Sequence, residues 1–496
     1  MAQRIKNMTI GSPTKLLLAF ALPLMIGNIF QQLYSVVDTA IVGQVIGVDA
    51  LASLGATDWT YWLVIGVITG FTQGFSILIS QHYGANDYKK MNKAIGASIA
   101  ICIGFATVLL IGGQAAAYPV LQLMGTPSEV IGGSITYLRI MFLGIPMITA
   151  YNMFASILRA LGDSKTPLYA MIVAAIINIG LDLLFVAVFS WGIAGAAIAT
   201  IIAQLASAVF CYLNIRKVSI IKFEKEDFKP KLSLVLNLLK LGSPIALQNA
   251  IISIGGMFVQ SVINSFGKLF LAGFTAANKL YGILELAASS YGFAVTSYVA
   301  QNLGAGYDKR IKKGVWSSTA IALGTSLIIS SLMLIFGEFI LGIFISGPAA
   351  DVAISMDIAY RYLCIMSYFL PVLYMLYIYR SALMGLGNTI VPMASGFAEL
   401  ACRLIAVYTL PHFIGSDGIF FAEVSAWIAA AVMLIIGYFI KMRRVSRNLT
   451  LASITEYDQD SLTSKKQDEI DAEPNVEKIY IDNTLEAMEK TEEENE

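Results

Sequence analysis

The chain has 496 residues, of which 57% are apolar and only 13% charged, with a mean hydropathy of +0.71. That balance excludes an ordinary soluble enzyme or a nucleic-acid-binding module and makes the bilayer the expected solvent. The formal charge of zero averages two unlike parts: a basic body with 29 Lys/Arg against 18 Asp/Glu over residues 1–450, and an acidic tail with 4 against 15 over residues 451–496.

The first apolar stretch, LLLAFALPLMIGNIF, runs into more span-like sequence with no small-residue processing site, so it is predicted as an uncleaved first span behind a short N-terminus, residues 1–14. Stretches able to cross roughly 30 Å of hydrocarbon recur at 15–45, 51–81, 93–120, 131–161, 166–190 and 193–215. These six form a predicted N-lobe, 15–217, followed by a linker, 218–233. Six more, at 234–265, 269–303, 313–345, 354–385, 390–412 and 418–441, form a C-lobe, 234–442. Pro23, Gly27, Pro146, Pro244 and Pro371 fall inside spans and predict bends there. Residues 443–496 combine few large apolar side chains with high negative charge and are predicted to be a disordered tail. The predicted fold class is an all-α membrane protein of about twelve transmembrane helices in two pseudo-symmetric six-helix lobes with a central cleft.

Lys and Arg sort onto alternate loops: Arg4/Lys6, Lys89/Lys90/Lys93, Arg159/Lys165, Arg216 to Lys231, Lys309 to Lys313 and Lys441 to Arg447. The positive-inside rule makes those loops cytoplasmic, which puts both termini inside and requires an even number of spans. Lys268 is the one clear basic residue on the opposite side. The four cysteines, Cys102, Cys211, Cys364 and Cys402, lie in apolar segments without metal-like spacing and read as packing residues.

The halves repeat. ISQHYGANDYKKMNKAI (79–95) lines up with VAQNLGAGYDKRIKKGV (299–315), 220 residues on, and YLRIMFLGIP…LRALGDSKTP (137–167) with YLCIMSYFLP…LMGLGNTIVP (362–392), 225 on. Six spans per half start both halves on the same side, so the repeats are parallel, as rocking-type alternating access between two lobes needs.

A charge near the bilayer centre costs at least about 2.5 kcal/mol, so ionisable residues inside spans carry the functional signal. Asp38, Asp182, Glu285, Glu399 and Arg403 qualify. Asn178 and Asp182 are four apart and share a helix face, and Thr200 comes from the next span. Two carboxylates, an amide and a hydroxyl offer hard oxygens for Na⁺, and the same carboxylates suit proton sharing. Asn178 and Thr200 also fit plain interhelical hydrogen bonding. The second half has Val259, Arg403 and Val407 where the first has Asp38, Asn178 and Asp182, so this cluster was not duplicated. Glu399 and Arg403, at i,i+4, read as an ion pair or as coupling residues. Gln31, Gln32, Tyr34, Tyr137 and Asn152 are placed toward the cleft, with Glu285 a candidate there. No phosphate loop, catalytic triad or zinc motif is present, and His82 and His412 sit singly, so the chain is not read as an enzyme.

FQQLYSVVDTAIVGQVIG, QHYGAND, QNLGAGYDKR, LRALGDSKTP, NIGLDLLF and WGIAGAAIAT together resemble the MATE (multidrug and toxic compound extrusion) family, in particular its bacterial MepA-like branch, over residues 10–442. The resemblance implies a cation site at Asp38, Asn178, Asp182 and Thr200 with Tyr34 and Tyr137 beside it. It further implies an antiporter in a bacterial cytoplasmic (inner) membrane that exports amphipathic or cationic organic compounds in exchange for Na⁺ or H⁺, a route to antibiotic resistance. No other cofactor is expected, and the expected partners are small organic substrates and membrane lipid, without nucleic acid or an obligate protein partner. The rival readings are a lipid-carrier flippase of the same superfamily, which needs a strongly basic interior, and a narrow-specificity metabolite exporter.

Overall fold

The computed structural model describes residues 5–264, 266–342, 345 and 349–472, and every long element in them is helical. In chain order these are α1 (Pro13–Val45), α2 (Val48–Gly84), α3 (Tyr88–Leu123), α4 (Ser128–Leu143), α5 (Ile145–Ala160), α6 (Lys165–Asp182) and α7 (Gly192–Ile215). The second half follows with α8 (Leu232–Asn264), α9 (Lys268–Gly304), α10 (Asp308–Leu341), α11 (Ala349–Gly385), α12 (Ile390–Thr409), the single turn α13 (Pro411–Ile414) and α14 (Phe420–Ala472). Among the described residues nine stretches are each long and apolar enough to span a bilayer, one of them holding both α12 and α14. Two more spans complete twelve. The α4–α5 pair bends by 48° at Gly144, just before Pro146. α9 is diluted by Lys268, Lys279 and Glu285.

Helix ends follow local chemistry. Pro13 opens α1, where its missing N–H costs nothing. Asp87 caps α3 by accepting the Lys90 N–H at 3.0 Å, and the Lys90 ammonium lies 2.8 Å from the same carboxyl. Bonding to Lys90 holds that carboxyl below the usual range. Pro23, Pro119, Pro244 and Pro371 lie within α1, α3, α8 and α11. Each removes one hydrogen-bond donor from its helix.

The repeat is physical as well as textual. Gly47 and Gly267 precede α2 and α9 with φ of +115° and +93°, and Gly162 and Gly387 turn with +83° and +70°, so four corresponding corners use backbone that favours glycine. α2 and α9 cross reciprocally. A Cβ on Gly84 would lie 1.9 Å from the Gln301 carbonyl oxygen, and one on Gly304 1.9 Å from that of Gln81. The two glutamines reach on in matching fashion, Gln301 donating to the Ala160 carbonyl at 2.8 Å and Gln81 to the Gly385 carbonyl at 3.3 Å. α2 also meets α8 closely, with Gly74 against Gly242. Gly84→Ala is expected to lower stability by about 1–3 kcal/mol, the usual penalty of overpacking, while Gly104→Ala, which meets nothing within 4 Å, leaves the melting temperature of the detergent-solubilised protein unchanged.

At this basic end a strap of residues 5–12 ties the halves together. Met8 is 1% exposed. Its N–H donates to Gln301 Oε1 at 2.9 Å, and its carbonyl accepts from Asn302 Nδ2 at 3.1 Å and Arg310 Nη2 at 3.3 Å. Arg310 also donates to the Gly11 carbonyl at 3.1 Å. On the other half, the Lys6 carbonyl presses against Gly162 so closely that a Cβ there would lie 2.0 Å away. This arrangement closes the bundle at that end.

All four cysteines are free, Cys102 and Cys211 buried and Cys364 and Cys402 half-buried. The compact unit that holds the spans ends at Lys441, and a second begins at Met442. α14 continues as helix to Ala472, into the segment whose composition suggests disorder. Extending an existing helix avoids the nucleation penalty that makes isolated helices marginal. The rest of the tail, 473–496, lies outside the described residues.

Candidate functional site: a buried acidic pair and a charged cavity

In the first half, α1 carries Asp38 about four turns after Pro23, and the last turns of α6 carry Asn178 and Asp182 on one face. The helix then widens into a π turn, Leu183–Val188, a rare element concentrated at functional sites. Phe185, Phe189 and Trp191 stack at its end, with the Phe185 and Trp191 rings 4.7 Å apart. Asp182 thus sits where regular helix stops.

Asn178 and Asp182 are wholly buried. Asp38 and Asp182 lie close enough for the charge of each to bear on the other, and no ion pair reaches either among the described residues. Asp38 Oδ1, both Asp182 oxygens and both polar atoms of the Asn178 amide are buried without a protein donor or acceptor. Buried polar atoms are satisfied in almost all proteins, and each orphan costs about 1–3 kcal/mol. Two ionised carboxylates side by side are costlier still, so the pair needs a proton or a cation. Carboxylate, amide and hydroxyl oxygens are the donors Na⁺ takes; the described residues hold no cluster of three or more His, Cys, Asp or Glu.

Of the other expected members, Tyr34 and Tyr137 lie near the pair. Tyr34 is half-buried, near Gln31 and Gln204 and close to both aspartates. Tyr137, from α4, packs against the cluster of Val42, Ala50, Leu54, Val186 and Ala196 and lies near Asp38. Thr200 spends its proton on the Ala196 carbonyl of its own helix, at 3.1 Å, leaving its oxygen free to accept. Asn152 likewise donates to the Ile148 carbonyl at 2.9 Å, and Gln31 is exposed. Gln204 was not singled out from sequence; its buried Oε1 has no partner. The signal was present, as an amide inside an apolar span four residues after Thr200.

In the second half Glu285, Glu399 and Arg403 line one cavity of about 340 Å³, walled by Trp59, Trp62, Tyr281, Tyr362 and Trp427. The i,i+4 reading of Glu399 with Arg403 needs correcting. Glu399 binds Arg380 of α11, and Arg403 binds Glu423 of α14 at 2.8 Å. Interhelical partners give both arginines better-placed carboxylates than the neighbouring turn does. Gly255 of α8 leaves room for Arg403, since a Cβ there would lie 2.8 Å from its Nη1. Glu285 accepts from the Tyr377 hydroxyl and, among the described residues, has no ion pair. A second cavity of about 340 Å³ shares Trp62, Glu285, Tyr377 and Arg380 with the first, so Glu285 and Arg380 stand where the two adjoin. Arg380 and Glu423 were missed because each lies near the end of its span, where charge is unremarkable.

Twelve spans in two related halves, a carboxylate pair buried without a counter-ion and a charged cavity between helices define a polytopic membrane transporter. The MatE family pattern matches residues 23–184 and 244–409, and the chain belongs to that family of transporters, which are not enzymes. It is 33% identical to the probable multidrug resistance protein YpnP of Bacillus subtilis, over 69% of this chain and 77% of that one. It is 30% identical to the probable multidrug resistance protein YoeA of the same organism, over 85% and 92%. The multidrug export protein MepA of Staphylococcus aureus is 22% identical over 68% and 74%. Among solved structures, a MATE transporter in complex with MaL6 superposes with a TM-score of 0.81 at 22% identity, covering 91% of this chain and all of that one. A MOP superfamily transporter from Pyrococcus furiosus gives 0.82 at 22% identity, over 90% and 98%.

Proposed function

We propose that the chain is a multidrug efflux antiporter of a bacterial cytoplasmic membrane, exporting amphipathic or cationic organic compounds in exchange for Na⁺ or H⁺. The observation that carries this is the Asp38–Asp182 pair, two neighbouring carboxyls, one half-buried and one buried, with no ion pair to either among the described residues. Such a pair takes its charge compensation from outside the protein, and so responds to an ion gradient. Asn178, Thr200 and Tyr34 complete the oxygen shell, and Tyr137 borders it. The names of the relatives, probable multidrug resistance proteins for YpnP and YoeA and multidrug export protein for MepA, support a multidrug cargo.

In this reading the first lobe, 15–217, and second lobe, 234–442, rock about the α2–α8 and α2–α9 crossings, and both termini face the cytoplasm. Gln31, Asn152 and Glu285 border the substrate path. A lipid-carrier flippase would need a basic interior for pyrophosphate, whereas this cavity holds three glutamates against two arginines.

The test is efflux of ethidium from proteoliposomes under a Na⁺ gradient and, separately, a pH gradient, with Asp38→Asn beside wild type. Gradient-stimulated efflux in wild type and none in Asp38→Asn is the expected result, and the effective gradient names the ion. No gradient response in wild type would sink the antiport reading.

A further inference from the structure

The cavity of the second half has an unusual internal charge balance. Its five ionisable acids and bases are Glu285, Glu399, Glu423, Arg380 and Arg403. Arg380 is spent on Glu399 and Arg403 on Glu423, which leaves Glu285, among the described residues, bonded to the Tyr377 hydroxyl alone. With the carboxylates ionised, the two closed pairs cancel and one negative charge remains. The nearby Asp58 and Lys279 interact with each other and are of opposite sign, so they leave that balance unchanged.

The walls match that single charge. Trp59, Trp62, Tyr281, Tyr362, Tyr377 and Trp427 surround it, with Tyr281 stacked on Trp427 at 5.7 Å. Aromatic faces attract a delocalised cation and stack on flat rings. A volume of about 340 Å³ is of the size that holds a small polycyclic molecule.

Resting on the multidrug reading, we infer that this cavity is a binding site for aromatic monocations, with Glu285 as the counter-ion, and that Arg380 and Arg403 set the number of charges the substrate carries. A dication entering the site would find one carboxylate for two charges, because the other two are already matched. Removing either arginine alone raises the negative charge to two and makes room for a second cationic group. Removing an arginine together with its own glutamate leaves the balance, and the preference, as they were.

Ethidium and propidium test this, since they share one phenanthridinium ring and differ in that propidium carries a second, quaternary ammonium charge. Dye anisotropy is measured with purified full-length protein in nanodiscs. Wild type is expected to bind ethidium about tenfold or more tighter than propidium, the scale of one unpaired charged group. Arg403→Gln is expected to reverse that order, Arg403→Gln/Glu423→Gln to restore it, and Glu285→Gln to weaken ethidium by about tenfold with an unchanged melting temperature. Equal binding of the dyes by wild type, an unaltered ratio in Arg403→Gln, or full ethidium affinity in Glu285→Gln overturns the inference. Should Arg403→Gln fail to fold, the Glu285→Gln comparison decides. Wild type that exports ethidium under an ion gradient yet binds both dyes equally overturns this inference alone; wild type that neither binds nor exports ethidium overturns the multidrug reading with it.

Discussion

Asp182→Asn is expected to abolish ion-driven efflux while leaving dye binding in the second half intact, and the double variant Asp38→Asn/Asp182→Asn is expected to be no worse than either single one. Asparagine keeps the volume and polarity of the side chain but cannot ionise, so the buried pair loses the charge that draws in an ion. Coupling between sites is worth about 1–3 kcal/mol, so the gradient-driven rate falls by up to about 100-fold. Non-additivity follows from geometry. The two carboxyls lie close to each other and three of their oxygens are buried without a protein partner, and residues that act as one unit give one loss rather than two. Initial rates of ethidium efflux in the four proteins measure this. A double variant much slower than both singles would mean that the aspartates serve separate sites.

Much of this first-half cluster was legible in the sequence because a charged residue in an apolar span has few reasons to be there. Asp38 and Asp182 stand out against some twenty apolar neighbours each, and the four-residue spacing of Asn178 and Asp182 fixes their shared face without a structure. The spans and the bend before Pro146 were legible for the same reason, since hydropathy and proline act locally. What distance along the chain cannot carry is partner choice. Glu399 and Arg403 satisfy the local i,i+4 rule, yet α11 and α14 bring them Arg380 and Glu423 from 19 and 20 residues away. The strap at Met8 was illegible too: a short segment of mixed polarity gives no periodic signal, and its burial depends on Gln301, Asn302 and Arg310, nearly 300 residues distant. Asp58 escaped notice because it lies only some ten residues inside a long span.

The two halves solve one electrostatic problem differently. By the repeat, Arg403 occupies the place of Asn178, while Val259 and Val407 occupy those of Asp38 and Asp182. The second half therefore carries positive charge covalently, as arginine, where the first leaves two acids open. Under the proposed antiport this division gives the first half the exchangeable ion and the second the cargo, so the two compete through the shared conformation of the bundle and not for one set of oxygens.

The largest effect on stability is expected at Arg380 and Glu399. Both side chains are buried, 8% and 4% exposed, and they are bound to each other. Arg380→Met strands Glu399 in the cavity wall and Glu399→Met strands Arg380, and breaking a buried pair from one side costs about 3–5 kcal/mol. Replacing both with apolar residues of similar length removes two desolvated charges at once, and such exchanges are often neutral or favourable. Arg380→Met/Glu399→Met should therefore melt within a few degrees of wild type, while each single variant melts far lower. The cavity's balance stays at one negative charge in the double variant, so ethidium remains the preferred dye, which separates the structural duty of this pair from the selectivity it helps to set. Thermal unfolding of the four proteins in one detergent measures the cycle. Losses that simply add in the double variant would show that Arg380 and Glu399 support the fold through other contacts and not through each other.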